Sequence, residues 1–187
     1  MKRLFVAVAA IVLFVGPALA ADRAPLTDEK IRNFVASMEA IKDLGRELEA
    51  SGKTKLLMDQ TAPKAGEDFK PYAKAVAALK EKYPADHARL VASVKPYGFS
   101  AETWAETGDR IIVAYIAEKA EQEHPGGLGH AQPMDPAMLA SIPSEMRVQI
   151  ETAMAMMETV KNAPVSDRDA VRPHLKAIDA QLAASAR

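Results

Sequence analysis

The chain has 187 residues, 24 Lys and Arg against 25 Asp and Glu, no cysteine, and only 5% aromatic side chains. Without cysteine there is neither a disulfide framework nor a thiol ligand or nucleophile, so packing alone must hold the fold. The charges alternate in sign along most of the sequence instead of clustering as Lys and Arg on one face, which excludes nucleic acid as a partner class.

Met1, Lys2 and Arg3 form a basic start to the apolar run Leu4 to Val15, which Gly16 and Pro17 break. Ala18-Leu19-Ala20 then offers the small-x-small pattern of a signal-peptidase site. Residues 1–20 are therefore expected to be a signal peptide cleaved after Ala20, with a periplasmic or secreted destination. The apolar run is too short for a comfortable membrane span, and no later segment predicts one in the mature chain. Removing Lys2 and Arg3 leaves 22 basic side chains against 25 acidic ones, a mildly acidic surface. Residues 21–187 are long enough to form one domain, with a possible subdivision at the 124–134 loop.

After Pro25, Thr27 is the expected N-cap of a first helix, and Asp28 and Glu29 suit its dipole. Ile31, Phe34, Val35, Met38, Ile41 and Leu48 carry that helix to about Ser51, where Gly52 stops it. Leu26-Thr27-Asp28-Glu29-Lys30 also resembles the Leu-Thr-x-x-Gln motif of small periplasmic helical stress chaperones. The likeness covers five residues in a single copy, with Lys30 in place of the glutamine, and no family is assigned on it.

A short helix is predicted around Leu56 to Asp59, followed by a loop marked by Pro63 and Gly66. Pro71 should open the next helix, with Tyr72, Val76, Leu79 and Tyr83 on one side. Pro84 closes it and opens another, which ends at Lys95-Pro96 with Gly98 making the turn.

Ser100 to Glu123 reads as the organising helix, capped by Ser100. Trp104, Gly108, Ile111, Ile112, Tyr115 and Ile116 form its apolar stripe, with Glu102, Glu106, Asp109 and Arg110 opposite. Gly108 on the buried side costs roughly 1 kcal/mol of helix propensity relative to alanine. Close approach of a neighbouring element would explain its presence.

The segment HPGGLGHAQPMDP follows as a loop, and Asp135-Pro136 should open a short helix through Met138 and Leu139. A longer helix is predicted from about Pro143 to Asn162, with Met146, Ile150, Ala153, Met154, Met157 and Val160 as its buried stripe. Ser166 with Asp169 resembles a capping box, and Pro173 should kink or delay the last helix, which carries Val171, Leu175, Ile178 and Leu182. The expectation is an all-α fold, an antiparallel bundle of about six to eight helices.

Catalytic signatures are missing from the sequence: there is no Gly-x-Ser-x-Gly elbow, no phosphate loop, and no paired Glu-x-x-His for a di-iron bundle. Trp104, Tyr97, Phe99 and Tyr115 could line an apolar ligand pocket, although aromatic side chains at such positions also build cores. His124, His130, Met134 and Met138 form a candidate metal segment, since imidazole and thioether donors suit copper and a chain without cysteine would have to use them. Against this, methionine also fills gaps in cores. His87 and His174 read as surface or boundary side chains. The leading expectation is a non-enzymatic protein that binds another protein or an apolar ligand, without a cofactor. Copper handling and an enzyme with a dispersed His and carboxylate site are the alternatives.

Overall fold

The computed structural model describes residues 24–61, 63–64, 67–127 and 141–185. The expected signal peptide and the short helix near Met138 lie outside them. Every regular element among the described residues is helical, and the helices pack as a bundle.

Thr27 caps α1 (Asp28–Ala40), its hydroxyl accepting the Lys30 N–H at 3.2 Å. The single helix expected to Ser51 is instead two, because the chain breaks at Ile41 and restarts as α2 (Lys42–Ala50). Packing explains the break. In an unbroken helix Leu44 would lie about 140° around the axis from Ile31, yet both are buried in the same core. α3 (Lys53–Thr61) follows the left-handed Gly52, whose φ is +72°.

Pro71 and Pro84 each occupy the first position of a helix, α4 (Pro71–Lys82) and α5 (Pro84–Val94), where a missing N–H costs nothing. A 3₁₀ turn over Lys95–Tyr97 and Gly98 at φ +82° lead into α6 (Ala101–Glu123). Ser100 and Thr103 close a reciprocal capping box at its start, each side chain accepting the other's backbone N–H. α7 (Ser144–Lys161) and α8 (Val165–Val171) come next. The residue capping α8 is Pro164, so Ser166 lies within the first turn and the expected Ser166/Asp169 capping box does not form. Around Pro173 a 3₁₀ turn over Arg172–His174 delays the last helix, α9 (Leu175–Ser185).

α6 is the axis of the bundle, touching α1, α4, α5, α7 and α8. Its buried stripe joins Ile31 and Phe34 of α1, Val76 and Leu79 of α4, Leu90 and Val94 of α5, and Val171, Leu175 and Ile178 from the C-terminal end. Each fully buried aliphatic side chain such as Ile31 or Ile111 contributes about 1.5–3 kcal/mol. Phe34, Tyr72 and Trp104 form a closed aromatic group with centroids 5.3–5.5 Å apart. Gly108 lies against it, since a methyl at that position would come within 2.8 Å of the Phe34 ring. The close approach that Gly108 implied is thus made by two aromatic rings.

The C-terminal elements join α6 through charge as well as packing. Arg110 donates to both carboxylate oxygens of the buried Asp167 at 2.8 and 2.6 Å, and to the Ala24 carbonyl. Two turns further on, buried Glu118 accepts from Arg168 and Arg172, each at 2.8 Å. The Tyr115 hydroxyl donates to Asp179. Opposite signs on α6 therefore meet opposite signs on the segment after α7, fixing its register.

A smaller core, of Val113 and Ala117 with Val160 and Ala163, seats only the C-terminal part of α7. The stripe expected to be buried on α7 turns out differently. Met146 is 53% and Met157 49% exposed, and only Val160 of that stripe is fully buried. No helix among the described residues is long and apolar enough to cross a membrane.

Candidate functional site

Where α7 diverges from α6, a cavity of about 760 Å³ opens between them. α6 supplies Glu106, Asp109, Arg110 and Val113, whose spacing places them on one face. α7 supplies Glu151, Met154, Ala155, Glu158, Thr159 and Asn162, again one face. The segment 67–70 with Ala73 closes one end, and Ala163, Pro164 and Asp167 the other.

Two threonines hold the wall in place. Thr159 accepts the Phe69 N–H at 3.0 Å, and one face-repeat earlier Thr152 donates to the Pro63 carbonyl at 3.2 Å. These bonds set the rotation of α7 and place half-buried Glu151 and Met154 and exposed Glu158 along the cavity. Small side chains at Ala73, Ala155 and Ala163 leave the space open, at a size that suits a small organic ligand.

Asp109 is the most constrained lining group. Its side chain is carried by α6 but caps α4, accepting the Tyr72 N–H at 2.7 Å and the Ala73 N–H at 3.1 Å. Lys70, which precedes Pro71, has no side-chain oxygen for that role, so the cap comes from another helix. Asp109 is consequently withdrawn from solvent, at only 6% exposed, while Glu102 and Glu106 on the same side of α6 remain exposed. Burial pushes its pKa up to about 6, against the two backbone N–H bonds and the charge of Lys70 that pull it down.

The cavity walls are apolar at Phe69, Val113, Met154, Ala155 and Pro164, and the rest of the lining is mainly carboxylate. Its two cations are engaged: Arg110 by Asp167, and Lys70 by Asp68 at 2.6 Å. Such a site can enclose an apolar body and present negative charge to it.

The residues singled out from sequence lie elsewhere. Trp104 and Phe99 are buried in the main core, Tyr97 and Tyr115 are half-buried against it, and none of the four lines this cavity. Trp104 spends its indole N–H on Ser37, at 2.8 Å. His124 is exposed at the C-cap of α6, while His130, Met134 and Met138 lie outside the described residues. Among the described residues no three His, Asp or Glu side chains converge as a metal site would require. His174 is mostly covered and bonds Asp28 at 2.5 Å.

Of the lining, the sequence singled out Met154, as part of the buried stripe of α7, and assigned none of the residues to a ligand site. A signal was available in Glu151, Met154 and Glu158, where carboxylates interrupt an apolar face at helical spacing. No protein-family model matches the chain, and neither a curated protein nor a solved structure matches it.

Proposed function

We propose that this chain is an exported, periplasmic or secreted binding protein, without chemistry of its own, that takes up a small molecule with an apolar body between α4, α6 and α7. The cavity of about 760 Å³ carries this reading, because its apolar walls are held apart by tertiary hydrogen bonds and by small side chains. Its lining holds carboxylates but no histidine among the described residues, which favours binding over the dispersed catalytic site. Export rests on the basic, apolar and small-x-small pattern of residues 1–20.

The test is uptake of N-phenylnaphthylamine, a neutral apolar dye that brightens in apolar surroundings. Saturable uptake by the mature chain that is lost in Ala155→Trp, with the fold intact by circular dichroism, is the expected result. Absence of any uptake would count against an apolar site. A protein partner is the second reading, favoured by exposed Met146, Val148 and Met157 on α7. It gains if dye binding survives Ala155→Trp but is lost when Met146 and Met157 become serine.

A further inference from the structure

We infer that the cavity selects a cationic amphiphile, with an ammonium or amidinium group against Glu151 and Glu158 and an apolar chain along Phe69, Val113 and Met154. This rests on the cavity reading above and adds the charge of the ligand.

The argument is one of complementarity. Among the described residues, seven carboxylates line the space against two cations. Arg110 is held bidentate by Asp167, and Lys70 by Asp68. Glu67 is matched by Lys74, at 2.7 Å, and Asp109 is committed to the start of α4. On the α7 wall, Glu158 accepts, among the described residues, only the neutral Asn162 amide, at 3.0 Å, and Glu151 stands one face-repeat away with Met154 between them. Glu106 adds its charge from the α6 side, where it pushes the Asp109 proton affinity up.

A fatty acid or other anion entering this space would meet carboxylates, while the cations beside it are already neutralised. An organic cation meets the reverse. Glu158 and Glu106 face solvent and Glu151 is half-buried, so the preference rests on the number and placement of the carboxylates. A bare metal ion fits less well, because the lining carboxylates are spread over α6, α7, α8 and the segment 67–70 and, among the described residues, do not converge as a ligand set. The apolar walls exclude a purely hydrophilic polyamine on the same reasoning.

Displacement of bound N-phenylnaphthylamine provides the test, using dodecyltrimethylammonium, dodecanoate and spermidine below the concentrations at which the chains aggregate. The ammonium chain should displace the dye at a concentration on the order of tenfold or more below that of the carboxylate chain. Spermidine should displace little. Glu151→Gln with Glu158→Gln keeps side-chain shape at partly or fully exposed positions. It should cut the ammonium advantage over the carboxylate chain by on the order of tenfold. Added salt should also narrow the gap, since screening acts within about 10 Å at 0.1 M.

Equal displacement by the two chains, or a preference untouched by the double substitution, overturns the charge assignment and leaves the cavity reading standing. Spermidine acting as well as the ammonium chain overturns the apolar half. Failure of both the dye and dodecyltrimethylammonium to bind, the latter followed by calorimetry, overturns the cavity reading and this inference together.

Discussion

The carboxylate of Asp109 accepts the backbone N–H of Tyr72 at 2.7 Å, so the start of α4 is capped by a side chain from α6, across the floor of the cavity. Replacing Asp109 by alanine leaves the Tyr72 and Ala73 N–H groups unpaired and should cost about 1–3 kcal/mol in urea unfolding. The pH dependence has a definite sign. Its pKa, raised by burial from 3.8 to about 6, means that the folded state favours the neutral form. The contribution is present below 3.8, is lost as pH rises through about 6, and stays flat beyond. Stability measured across that window should fall in the native chain relative to Asp109→Asn, whose side chain does not titrate.

Glu118 acts in the opposite direction. The hydrogen bond from Arg172, aided by one from Arg168, holds its carboxyl below the usual 4.5 although burial opposes this. Its contribution is therefore complete above 4.5 and is lost as pH falls through the lowered value. Glu118→Gln should cost roughly 2 kcal/mol at neutral pH, less than a fully buried pair would, because Arg172 is half exposed and keeps part of its hydration. As pH falls through that lowered value the native chain and the variant should converge, which acid-titrated circular dichroism would follow.

These two carboxylates also mark how far the sequence could be read. The caps at Thr27 and Ser100 and the proline breaks were legible because their causes are local, whereas the break at Ile41 and the missing Ser166/Asp169 box were not. Thr27 and Ser100 accept N–H groups three residues on, Pro71 and Pro84 open helices, and the 3₁₀ turn at Pro173 delays the last one. The location of the cavity was not, because it depends on the rotation of α7. Helical periodicity put Met146, Ile150, Ala153, Met154, Met157 and Val160 inward. Val160 is buried and Met154 lines the cavity, whereas Thr152 and Thr159 anchor a face rotated from the rest to Pro63 and Phe69. Those partners lie about 90 residues away in the chain. Asp109 was misplaced for the same reason: its charge suggested solvent, and only the packing of α4 on α6 shows which N–H groups it serves.

Gly108 and Gly45 should respond to alanine with opposite signs. Both are helical, so each substitution gains about 1 kcal/mol in propensity. At Gly45 nothing lies within 4 Å of the added methyl, and the gain should appear as a higher urea midpoint. At Gly108 the methyl would lie 2.8 Å from two Phe34 ring atoms and 2.9 Å from Tyr72. Those rings are wedged against Trp104 and have little room to turn. Overpacking of about 1–3 kcal/mol should outweigh the gain and lower the midpoint.

Ser37 should prove to be a partner of Trp104 rather than a space-filler. Its hydroxyl is fully buried, receives the indole N–H at 2.8 Å and donates onward to the Phe34 carbonyl at 2.7 Å. Ser37→Ala removes little volume but strands the indole N–H, an expected loss of about 1–3 kcal/mol. Trp104→Phe removes the donor and leaves the serine its carbonyl partner, so its cost is mainly lost packing. In the Trp104→Phe background, Ser37→Ala should then cost less than half as much as it does alone. A double-mutant cycle by urea unfolding reads that coupling directly. Equal costs in both backgrounds would mean that the hydroxyl acts only through Phe34, and that the link between α1 and α6 is one of packing alone.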